Sequence, residues 1–145
     1  MSIKVLVADD SQIMCTAIRI TLEQEPCIRV VGEAPSYARA IQMIADLRPD
    51  VLLLDLHTVA KRDLKPESVK LQLGCVFTVA MSFSNDTDDR ELAKRYGTSS
   101  LLNKMELFTE MIPAIKRCVP DLMDSKTVLR LRRPVQRQIS ANELI

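Results

Sequence analysis

The chain has 145 residues, of which 47% are hydrophobic, and its 20 basic and 19 acidic side chains nearly cancel. That length suits one domain able to bury a real core, and the balanced charge gives no reason to expect nucleic acid or a membrane surface as a partner. No apolar run approaches the roughly 20 residues of a bilayer span, and the opening Met1-Ser2-Ile3-Lys4 reads as the approach to a strand and not as a signal peptide.

Five short apolar runs, at 3–8, 28–33, 51–54, 76–81 and 100–102, are predicted strands. Several are continuously hydrophobic, the pattern of strands covered on both faces. Helical periodicity fills the intervals. Residues 11–25 place Met14, Ala17, Ile18 and Leu22 on one stripe, with Asp10 or Ser11 as cap. Residues 36–47 repeat the scheme behind Ser36, turn Ala40, Ile41, Ile44 and Leu47 inward, and give way to Pro49. A weaker helix is expected between Pro66 and Leu73. Residues 86–96 open with Asp86, Asp88 and Asp89, favourable at a helix N-terminus, and stop at Gly97. The last helix, 105–118, carries Leu107, Phe108, Met111, Ile112 and Ile115, with Pro113 expected to kink or break it. Alternating strands and helices predict an α/β fold, a doubly wound five-stranded parallel sheet with helices on both faces.

Cys15, Cys27, Cys75 and Cys118 have no metal-binding or redox spacing. Buried thiols in a reducing compartment, hence a cytoplasmic location, are the expectation.

Polar residues fall where these runs end. Asp9 and Asp10 follow the first strand, Asp55 the third, Ser82 the fourth and Lys104 the fifth. Each alone has a plain explanation, as cap, turn residue, loop hydroxyl or surface charge. In an open parallel sheet, however, the carboxyl ends share one edge, where ligands bind. Crowded carboxylates repel one another unless a cation joins them. Hard oxygen donors suit Mg²⁺, with Mn²⁺ as an alternative. A lysine and a hydroxyl can then hold phosphoryl oxygens, leaving Asp55 as the candidate nucleophile.

This set resembles the receiver domain of two-component response regulators. The resemblance rests on Val5-Leu6-Val7-Ala8-Asp9-Asp10-Ser11, on Pro49-Asp50-Val51-Leu52-Leu53-Leu54-Asp55, on Val79-Ala80-Met81-Ser82, and on Gly97 with Leu101-Leu102-Asn103-Lys104. It implies strand order 2-1-3-4-5 and a receiver domain over 1–119. It implies Asp55 as phosphoacceptor, with metal ligation by Asp10, Asp9 beside it, Asp55 and the backbone carbonyl of His57. Ser82 and Lys104 would bind the phosphoryl group. The His57 side chain is expected to be exposed. A sensor histidine kinase would be the donor, and a separate output protein or domain, or a second copy of the chain, the further partner. Such a domain catalyses only its own phosphorylation and dephosphorylation.

Several positions depart from the family pattern. The stretch after Asp55 reads Leu56-His57-Thr58-Val59-Ala60-Lys61-Arg62-Asp63, so this loop is expected to take an unusual path. Phe83 replaces a small residue after Ser82, Leu101 an aromatic one, and Met105 a proline after Lys104. Phe83, Leu101 and the altered stretch after Asp55 support the alternative of a phosphorylation-independent interaction domain that retains the fold. A metal-dependent phosphatase is the third reading, without an Asp-x-Asp nucleophile motif directly after a predicted strand to support it. Residues 120–145 are expected to form a basic extension or linker, too short for an output domain.

Overall fold

The computed structural model describes residues 2–84 and 86–119. The basic extension expected at 120–145 lies outside the described residues. The strands are β1 (Ile3–Ala8), β2 (Ile28–Ala34), β3 (Val51–Asp55), β4 (Phe77–Ser82) and β5 (Ser100–Asn103). All pairings are parallel, in the order β2-β1-β3-β4-β5. The helices are α1 (Gln12–Leu22), α2 (Tyr37–Leu47), α3 (Leu56–Ala60), α4 (Pro66–Gln72), α5 (Thr87–Arg95) and α6 (Leu107–Cys118), the last preceded by a 3₁₀ turn at Lys104–Glu106.

Successive strand residues point to opposite faces, so each apolar run feeds two cores. Val5, Val7, Val51, Leu53, Val79 and Met81 meet Ile18 and Leu22 of α1 and Leu107, Met111 and Ile115 of α6. Leu6, Ala8, Leu52, Leu54 and Ala80 meet residues of α2, α3, α4 and α5 on the other side. A strand buried on both faces carries few polar side chains within its length, Thr78 of β4 being one that is buried. That is why the side chains able to do chemistry gather at strand ends.

Local signals set the helix limits. The side chain of Ser11 accepts from the Met14 N–H and that of Ser36 from the Arg39 N–H, each satisfying an orphan donor of a first turn. After α5, Gly97 takes φ +78°, while the Thr98 N–H donates to the Ala93 carbonyl and the Gly97 N–H to the Lys94 carbonyl. This C-terminal motif needs a left-handed residue, and glycine enters that region without steric cost. Of the kink or break expected at Pro113, the break does not occur: α6 continues through it to Cys118. Pro113 lies on the exposed side, where water can serve the carbonyl that loses its donor.

A second departure bears on function. The unusual path expected after Asp55 is a short helix, α3, which begins at Leu56. The Asp55 carboxylate caps it by accepting from the His57 N–H at 3.1 Å, and Thr58 Oγ1 donates to the Asp55 carbonyl at 2.7 Å. Leu56 and Val59 are buried in the second core.

Candidate functional site

Strand register assembles the site. Ala8 is paired with Leu54, so Asp9 leaves β1 beside Asp55 at the end of β3. Asp55 is paired with Met81, and Ser82 follows at the end of β4. Ser82 is paired with Asn103, and Lys104 follows at once. Four chain segments thereby deliver Asp9, Asp10, Asp55, Ser82 and Lys104 to one carboxyl edge, as the strand endings predict.

Carboxylate oxygens of Asp9, Asp10 and Asp55 lie within 4.8 Å of one another. Asp9 and Asp55 are buried, and Asp10 is exposed at the mouth. Lys104, itself buried, donates to Asp9 Oδ2 at 2.6 Å, and its Nζ stands 3.4 Å from Asp55 Oδ2. The Ser11 N–H donates to Asp9 Oδ1 at 2.9 Å. A buried ammonium between two buried carboxylates offsets a repulsion that would otherwise oppose folding. Phe83 covers the same ammonium from outside: Lys104 Nζ lies 5.0 Å from the centre of its half-exposed ring, a cation–π contact.

The carboxylates differ in their electrostatics. Burial pushes the Asp55 pKa above the ordinary carboxylate value; Lys104 and the His57 N–H act against this, and the charge of Asp9 adds to it. Asp10 is displaced the other way, chiefly by the hydrogen bond it receives from Lys61. The Lys61 ammonium lies 2.5 Å from Asp10 Oδ2. No motif marked Lys61. It reaches the site because α3 occupies the stretch after Asp55.

Two expected roles meet a specific geometry. The Ser82 hydroxyl is buried and donates to Asp89 Oδ2 of α5 at 2.6 Å, while accepting from the Ser84 N–H at 3.1 Å. The His57 side chain is exposed, as expected, and its carbonyl accepts from the Lys61 N–H at 3.2 Å. Ligation of a metal by that carbonyl requires its second lone pair, or release of this last bond of α3.

The donor set fits a hard divalent cation. Three carboxylates face two ammonium groups, one charge short of neutrality, and the exposed Asp10 opens the cluster to solvent. Among the described residues, no helix is long and apolar enough to cross a membrane.

This fold, with its acidic cluster and lysine at the carboxyl edge, is the receiver fold of two-component response regulators. The response regulator domain of Thermotoga maritima CheB superposes with a TM-score of 0.70 at 20% identity, covering 81% of this chain and 96% of that one. In sequence the chain is similar to two proteins named protein-glutamate methylesterase/protein-glutamine glutaminase. The one from Pseudoalteromonas atlantica is 43% identical over 57 residues, 39% of this chain and 15% of that protein. The one from Pyrococcus horikoshii is 31% identical over 125 residues, 79% of this chain and 34% of that protein. The chain thus spans no more than about a third of the length of these relatives. No family model matches it.

Proposed function

We propose that this chain is the phosphoacceptor module of a two-component pathway, taking a phosphoryl group onto Asp55 from the phosphohistidine of a sensor kinase. The observation that carries this reading is the convergence of Asp9, Asp10 and Asp55 within 4.8 Å, with Lys104 held between Asp9 and Asp55. The P–N bond of the donor breaks as an O–P bond forms at an Asp55 carboxylate oxygen, and the electron pair leaves on the imidazole nitrogen. Asp9, Asp10 and Asp55, with the His57 carbonyl as a further donor, would hold Mg²⁺ or Mn²⁺, which would supply positive charge against the phosphoryl oxygens. Lys104 is preorganised beside the nucleophile and donates to a phosphoryl oxygen once the group arrives. Ser82 supplies a second donor after leaving Asp89, and the rearrangement at the start of α5 alters the surface offered to partners. Those partners are the kinase in the cytoplasm and an output protein, an output domain or a second copy of the chain. Residues 1–119 are the working unit, and its chemistry is confined to its own aspartate.

The test is intact mass after incubation with Mg²⁺ and a small acyl-phosphate donor. A single phosphoryl adduct is expected, absent without metal and absent in Asp55→Asn. Folded protein that binds Mg²⁺ yet gains no adduct would favour the phosphorylation-independent interaction domain.

A further inference from the structure

We propose that Lys61 is a resident counter-ion of the acidic cluster, which competes with the divalent cation for Asp10 and thereby sets the metal concentration at which the site fills. The inference rests on the metal-binding reading above and adds to it a residue outside the expected ligand set.

Geometry singles out Lys61. Asp9 is held by the Ser11 N–H and Lys104, and Asp55 by the His57 N–H with Lys104 nearby. Both carboxylates and Lys104 are buried, so these partners are fixed by packing. Asp10 is different: its partner is a flexible side chain that is 64% exposed, on a carboxylate that is 47% exposed. An ion entering from solvent meets this pair first. Two positive charges cannot share Asp10 at short range without repulsion, and of the two ammonium groups only that of Lys61 can swing into water at small cost.

The fold also explains why Lys61 returns to the mouth. Asp55 caps α3, and Lys61 closes its last turn by donating its N–H to the His57 carbonyl. Six residues of helix advance only about 9 Å, a distance the long lysine side chain largely recovers. An extended loop over the same residues would carry Lys61 away. The short helix and the competing charge are therefore one device.

Calorimetric titration of the full chain with Mg²⁺ and with Mn²⁺ tests this directly, without phosphorylation. Lys61→Met is expected to bind either ion about two- to fivefold more tightly at low salt, the range an exposed charge pair supports. That gain should shrink as added salt shortens the screening length. Lys61→Arg, which keeps the charge, and Lys65→Met, which removes a neighbouring exposed charge, should bind as the parent does. Equal or weaker binding by Lys61→Met overturns the inference while leaving the metal site standing. Tightening in Lys61→Arg as large as in Lys61→Met overturns it too, because charge would not be the cause. Absence of binding in every protein overturns the metal site itself, and this inference with it.

Discussion

Asp55 is the residue at which folding and chemistry pull against each other. Its pKa lies above the ordinary carboxylate value because burial outweighs the help of Lys104 and the His57 N–H. Between the ordinary value and the raised one, the native state therefore holds more protons than the unfolded chain. Stability from this group is present at low pH and is lost as pH rises through that window. Asp55→Asn removes the charge while its amide oxygen can still accept from the His57 N–H and cap α3. In metal-free solution near neutrality the variant should be more stable than the parent by on the order of 1 kcal/mol. The gain should shrink at acid pH, once the pH has fallen through the raised pKa of the parent carboxyl. Urea denaturation at the two pH values measures both, and a neutral-pH midpoint at or below that of the parent would refute the argument. Asp10 has the opposite sign: Lys61 lowers its pKa, so its contribution is present above the ordinary value and is lost as pH falls.

At the scale of elements, the end of β4 is tied to the first turn of α5. Asp86 caps α5, and Asp88 and Asp89 add negative charge to its first turn, where the helix dipole favours it. Asp89 also holds the Ser82 hydroxyl, so in the role proposed for it Ser82 would exchange one charged acceptor for another. Asp89→Ala should free the hydroxyl and raise the affinity for a beryllofluoride phosphoryl mimic about fivefold, a fraction of a charge-assisted hydrogen bond. Fluorine NMR titration reads this; unchanged affinity would mean that the Ser82–Asp89 bond carries no weight in the equilibrium. Nothing in the sequence disclosed this pairing, because a serine and an aspartate seven places apart share no periodicity across a strand end and a turn. Asp9, Asp10, Asp55, Ser82 and Lys104 were legible for the opposite reason: each stands at or just after the end of a mainly apolar run, where a buried strand most readily admits polarity. The helix α3 escaped notice because five residues are too few for a 3.6-residue period to show, and Thr58 and Val59 are β-branched. Its cap and its burial of Leu56 and Val59 make it form, and both are tertiary facts. Lys61 was hidden with it.

Across the whole molecule, stability and reactivity are separated in space. Two apolar cores pack the faces of the sheet, while three clustered carboxylates and a buried lysine stand at one edge. The edge is tolerable because Lys104 sits buried against Asp9 and near Asp55. Lys104→Met keeps most of the side-chain volume but leaves two buried carboxylates facing each other without that cation. Removing one partner of a buried pair costs about 3 kcal/mol, and loss of the contact with Phe83 adds a smaller amount. A divalent ion at the same edge can replace much of the missing charge. Mg²⁺ should therefore stabilise Lys104→Met more than the parent, where a ligand at a hundred times its dissociation constant contributes about 2.7 kcal/mol. Urea denaturation of both proteins, with and without Mg²⁺, separates the effects. If lysine and metal answer the same electrostatic demand, the deficit of the variant narrows when the ion is present. An unchanged deficit would mean that Lys104 supports the fold through packing alone, and that its nearness to Asp55 is not an electrostatic preparation for phosphoryl transfer.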